Sequence, residues 1–205
     1  EQSLLTAPHL LALAGRSELI AGITARLDQV DARIADRERD LEAATLGPEQ
    51  IEAASAELLA VRDAAWAVRR DRLATAAAVD DLAGRDAGPT ALAGYLGIQQ
   101  ALAAIDRMEV RGRDSAGIHV MVWNHGLGAD HPNVAAALRE RGRDPLFQSG
   151  SVRLTDGVLG FVYKAAAEIG ELGDNTAELR DQIRSDTLLR RALDGADAHA
   201  LVLGH

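Results

Sequence analysis

Leu13, Ile20, Leu27, Ile34 and Leu41 recur at every seventh position, and Ile23 and Val30 add a second row three residues behind Ile20 and Leu27. Apolar residues at that spacing form a stripe along one face of an α-helix. Arg16 and Arg37 interrupt the second row, so the seam is imperfect. Between the stripe positions lie Arg26, Asp28, Asp31, Arg33, Asp36, Glu38, Arg39 and Asp40, a mixed-charge face suited to solvent and to pairing one turn apart. Gly47-Pro48 ends the run, because glycine suits the position after a helix and proline the first turn of the next. A second segment, 48–82, carries Ile51, Leu58, Val61, Ala65, Val68, Leu73 and Val79, with Trp66 as its one large side chain. Two long helices joined by a short turn predict an antiparallel hairpin over residues 9–83. Such a hairpin serves as scaffold, as spacer or as the surface of a homo-oligomer. Gly84, Gly88 and Pro89 mark the break after it.

Composition removes several functions. The 205 residues include no cysteine, so a disulfide scaffold, a cysteine-ligated zinc site and a cysteine nucleophile within the chain are excluded. The net charge of −9 argues against wholesale binding of nucleic acid or anionic membrane. No apolar run approaches the roughly 20 residues that span a bilayer. Glu1-Gln2-Ser3 is neither an initiator methionine nor a basic-then-apolar signal, which reads as a processed chain or an internal fragment. The expectation is a soluble, cytoplasmic protein. Aromatic content of only 3% favours close helix packing over a thick mixed core. Lys164 is the only lysine, and every other basic residue is arginine.

The rest of the chain, 90–205, reads as helices mixed with strands, an α+β pattern. A helix is expected over 90–108, with Leu92, Leu96, Ala101, Ala104 and Ile105 on one side. A strand follows at 116–123, where Ile118, Val120 and Val122 alternate with His119, Met121 and Trp123. A loop then leads to a helix over 134–143, with Asn133 as a plausible cap. Strands at 151–154 and 158–163 flank Thr155-Asp156-Gly157, an Asp-Gly turn. Two helical pieces cover 175–193. Ala200-Leu201-Val202-Leu203 reads as a buried final strand, and a chain that stops directly after one looks cut.

Arg111-Gly112-Arg113-Asp114-Ser115-Ala116-Gly117 joins the third helix to the first strand. A charged, glycine-bearing corner there can present side chains at a sheet end, where sites form, or it can be a turn capped by Asp114 and Ser115. The Asp-Ser-x-Gly order is not a serine-protease site: long helices and the absence of cysteine speak against that fold, and Arg113 stands where a nucleophile elbow needs glycine. His119, His125 and His131, with Asp130, do not converge by spacing and read as exposed loop histidines, not as metal ligands. Glu171, Asp174 and Asp181 read as helix N-terminal charge. There is no phosphate-binding loop, dinucleotide fingerprint or zinc-protease motif, and no cofactor is expected.

The segment from Leu102 to Ile118, containing Asp106-Arg107-Met108-Glu109-Val110 and the Arg111–Gly117 corner, resembles the glutaminase domain of glucosamine-6-phosphate synthase, a class II glutamine amidotransferase. Ile169-Gly170-Glu171-Leu172 and Ala198-His199-Ala200-Leu201-Val202-Leu203-Gly204-His205 are similar to later segments of that domain. The resemblance covers roughly 90–205, with an insertion between Asn124 and Gly150. It implies a partial N-terminal-nucleophile-hydrolase-type layered domain into which the helical hairpin is inserted. It implies glutamine and a sugar phosphate as partners of the intact parent, with ammonia passed between them. Arg111, Gly112, Asp114 and Ser115 would form the wall of the glutamine site, and His205 would sit beside it. Arg113 replaces the tyrosine usual in that family. The family's nucleophile is an N-terminal cysteine whose α-amino group is the base. That residue and the oxyanion-hole Asn-Gly are missing, so the chain has no catalytic residue of its own. A fragment cut at both ends accounts for this, and so does a degenerate, non-catalytic relative fused to a helical scaffold.

Overall fold

The computed structural model describes residues 7–84, 86–108, 115–142, 148–166 and 171–205. The chain divides into two units, 1–77 and 78–205.

The first unit is helical. Helix α1 (Ala7–Leu13) is followed by α2 (Ser17–Ala43), α3 (Pro48–Ala67), a π-helical segment (Val68–Leu73) and α4 (Ala74–Ala83), within which the boundary between the units falls. The seven-residue stripe does not lie on one helix. Gly15, at φ +74°, takes the left-handed conformation that closes α1, so Leu13 belongs to a separate short helix from Ile20. Pro48 opens α3 as the sequence predicts, but Gly47 is not the residue that follows α2: at φ −71° it is the N-cap of α3, and its N–H donates to the Gln50 side chain at 3.2 Å. Helices α2 and α3 pack together, but only Ile34 of α2 and only Ala65 of α3 are buried. Ile20, Ile23, Leu27, Val30 and Leu41 are half-covered. Polar pairs supplement this thin seam. Arg62 meets Glu38 at 2.5 Å, and Arg69 in the π-helical segment meets Asp28 at 2.8 Å and Asp31 at 2.7 Å. All five groups are at least partly solvated, so each pair contributes on the order of 1 kcal/mol or less.

The second unit is α+β. It contains α5 (Pro89–Met108), β1 (Ala116–Trp123), α6 (Pro132–Arg141), β2 (Ser151–Thr155), β3 (Val158–Ala165), α7 (Asp174–Ser185), α8 (Thr187–Leu193) and β4 (His199–Gly204). The strands form one antiparallel sheet in the order β2-β3-β1-β4. Asp156 (φ 49°) and Gly157 (φ 78°) make the tight β2–β3 turn, which needs two residues in the left-handed region. Register sorts the residues onto two faces. Ile118, Val120 and Val122 lie opposite Tyr163, Phe161 and Leu159, and Phe161 lies opposite Val152. All seven are at most 1% exposed, packed beneath α5 and α7 with Tyr95, Ile98, Leu102, Leu179 and Ile183. The other face carries Gly117, His119, Met121, Trp123, Val162, Lys164, Leu201 and Leu203, and it is open: Leu201 and Leu203 are 47% and 52% exposed. Strand β4 is therefore a half-exposed edge strand, not the buried strand expected. Its period of two puts only Ala200, Val202 and Gly204 towards α5, where Val202 and Gly204 approach Gly97 and Ile105.

Candidate functional site

Two groups of residues could carry chemistry, and the sequence singled out only the first. Its described members, Ser115 and His205, lie at the end of the sheet where β1 begins and β4 finishes. Gly117 donates its N–H to His205 O and accepts from His205 N–H, both at 3.0 Å. Segments 88 positions apart in sequence thus become a hydrogen-bonded pair of neighbours. Ser115 is exposed at the start of β1, and His205 is exposed at the end of β4. Arg111, Gly112 and Asp114 lie outside the described residues, as does the Ile169-Gly170 link.

Gly117 has a specific steric role. A β-carbon built on it would lie 2.3 Å from His205 Cε1 and 2.9 Å from Nε2, so the imidazole lies across the bare backbone of β1. A methyl group at that distance is not tolerated, and the ring would have to leave. His119 does the same one strand over: its Nε2 would be 3.1 Å from a β-carbon on Gly160. Burial lowers the His119 pKa, which favours its neutral form.

The histidines proposed as exposed loop residues have other places. His119 is half-covered in β1. His125 is buried: its Nδ1 accepts from Leu127 N–H at 3.0 Å, and its Nε2 lies 3.0 Å from Gly157 O. Because Nδ1 accepts, Nε2 carries the proton and donates to that carbonyl. His131, not Asn133, caps α6, taking the Asn133 N–H on its Nδ1 at 3.3 Å with Pro132 in the first turn. Asp174 accepts from Glu171 N–H at 2.8 Å, and Asp181 pairs with Arg184 at 2.6 Å, so these carboxylates serve α7 locally. Among the described residues no group of histidines and carboxylates is arranged to hold a metal ion. Among the same residues no helix is long and apolar enough to cross a membrane.

The second group is buried and went unnoticed in the sequence. Tyr163 donates its hydroxyl to Asp186 Oδ2 at 2.9 Å. Asp186 Oδ1 accepts the Leu188 and Leu189 N–H groups at 3.0 and 3.1 Å, capping α8. Arg141, from the end of α6, closes the cluster by a two-pronged contact with both carboxylate oxygens and also reaches Gly150 O. Burial pushes the Asp186 carboxyl up. The Arg141 guanidinium, the capped backbone and the Tyr163 hydroxyl overcome it, so the group sits below the usual carboxylate range. Burial and then the Asp186 charge push the Tyr163 hydroxyl well above its ordinary value. A carboxylate so fully occupied by donors is a structural brace, with no lone pair left for a substrate. One signal was available: an aspartate directly before the helix-forming segment 187–193, with its leucines at 188, 189 and 193, is a helix-cap pattern.

Comparison of the chain with protein-family models, with curated proteins and with solved structures finds no match.

Proposed function

We propose that the second unit is part of a glutaminase domain of a class II glutamine amidotransferase, resembling glucosamine-6-phosphate synthase, with an N-terminal-nucleophile-hydrolase-type architecture. One observation carries the reading. Gly117, in the first of the three segments that carry the sequence resemblance, and His205, at the end of the last, meet at one sheet end through paired backbone hydrogen bonds. A glutamine site needs such a meeting, since its wall is assembled from segments distant in sequence. In this proposal Arg111, Gly112, Asp114, Ser115 and His205 line the glutamine pocket. The cysteine nucleophile comes from residues outside 1–205, because this chain has none. The intact protein hydrolyses glutamine and delivers ammonia to a sugar phosphate. The test is to express the chain with its natural flanking sequence and measure glutamate release from glutamine. Release that disappears when an upstream N-terminal cysteine is changed to alanine is expected. No release from a folded, flanked protein, or no such cysteine, would sink the reading.

A second reading, a helical interaction module, has its own support. Trp66 and Leu59, seven residues apart on α3, are 60% and 53% exposed, and the α2–α3 seam buries almost nothing. Exposed apolar positions at helical spacing suit a second copy of the hairpin. Replacing Trp66 and Leu59 by serine is expected to shift the chain from a dimer or larger species to a monomer in light scattering. An unchanged mass counts against an assembly role.

A further inference from the structure

We propose that Lys164 and His205, on either side of Gly117, form a seat for a carboxylate. The proposal deepens the glutaminase reading and rests on it for the identity of the carboxylate, the one borne by glutamine or glutamate. Its geometry stands independently. Gly117 is opposite Lys164 on β3 and opposite His205 at the end of β4. Both backbone hydrogen bonds of Gly117 go to His205. The Gly117–Lys164 pair is therefore the non-hydrogen-bonded kind, whose strands approach to about 4.5 Å between Cα atoms. The three residues make one row on the open face of the sheet. The central member has no side chain, and the imidazole already lies across it.

Charge gives the seat its sign. The strand residues on that face include Lys164, Arg153, His119 and His199, with His205 directly after β4, and no aspartate or glutamate, in a chain of net charge −9. Lys164 is half-covered and has no side-chain ion pair among the described residues. Its backbone is held: its N–H donates to Ser149 Oγ at 2.7 Å, and its carbonyl accepts from Gln182 Nε2 at 3.1 Å. Lys164 and His205 flank Gly117 in one row of a sheet face whose strands carry no acidic residue, and a basic row of that kind favours an anion. A planar carboxylate can take a hydrogen bond from each. The single lysine of the chain thus stands in the row with the histidine that the resemblance places at the glutamine site.

Because Lys164 is the only lysine, reductive methylation with a ¹³C label marks one side chain. Its methyl resonance and the His205 Cε1–Hε1 resonance are followed while acetate, L-glutamate, L-glutamine and inorganic phosphate are added separately. A C-terminally amidated chain repeats the titration, so that the terminal carboxylate of His205 does not compete. The expected result is a saturable shift of both resonances with each carboxylate. Lys164→Gln, read on His205, is expected to weaken binding at least about tenfold, and Lys164→Arg to restore most of it. Gly117→Val is expected to displace the imidazole and abolish the response; should it fail to fold, Lys164→Gln decides. Resonances unmoved by any carboxylate in a folded chain overturn the proposal, and a response to phosphate alone overturns the carboxylate assignment. Acetate binding without glutamine or glutamate binding upholds the seat and counts against the glutaminase reading.

Discussion

Replacing Asp186 by alanine is expected to lower the stability of the second unit by about 3–5 kcal/mol, the cost of leaving one half of a buried pair uncompensated. The Asp186 side chain is 5% exposed and that of Arg141 29%. Removing the carboxylate strands the Arg141 guanidinium, the Tyr163 hydroxyl and the first N–H groups of α8 in one place. Trp123 fluorescence during urea unfolding, in a Trp66→Phe background, reports on β1 alone. A loss below about 1 kcal/mol would mean that water replaces the carboxylate and the cluster is not a brace. The sign of the pH effect follows from the lowered Asp186 pKa. A depressed carboxyl contributes stability that is fully present above its unfolded value, near 3.9 as a typical figure, and lost as pH falls through the folded value. Stability should therefore fall with acid below about pH 4, and Asp186→Asn should flatten that part of the profile. An unchanged slope in Asp186→Asn would assign the acid sensitivity to other carboxylates.

Phe161→Ala is expected to cost a similar amount, about 3–5 kcal/mol. Phe161 is 0% exposed on β3, with Val120 opposite on β1 and Val152 opposite on β2. It has neighbours on both sides in the sheet, and α7 packs against its strand. Backbone hydrogen bonding prevents these strands from collapsing into the space, so the cavity term is added to the lost transfer energy. Phe161→Leu, which keeps most of the volume, should cost distinctly less. Equal losses in the two variants would show that ring geometry, not volume, is what the site requires. The same urea series separates these outcomes.

Element types were legible because they depend on local spacing. The alternation of Ile118, Val120 and Val122 gave β1, and Asp156-Gly157 gave the turn that fixes the β2–β3 register. The break at Gly15 was legible in principle, since glycine is the residue that takes a left-handed turn at little cost, but the regular stripe across it masked the signal. The π-helical turn at Val68–Leu73 has no sequence signature. It brings Arg69 to Asp28 and Asp31, which belong to another helix. His125 looked like an exposed loop histidine because burial depends on what folds over a loop. Here the Gly157 carbonyl, 32 residues away, receives its Nε2 proton.

The amino-acid sequence by itself determined the helical character of the first third, the α+β pattern after it, and the absence of a cysteine nucleophile within the chain. Each is a matter of residue type or spacing along the chain. Tertiary structure decided which distant segments meet. Strand pairing placed His205 over Gly117 with Lys164 across the row, made β4 an edge, and left one sheet face open. It also joined Arg141, Tyr163 and Asp186 into a buried brace. Those outcomes depend on register and on packing between elements, energies that no local window of the sequence contains.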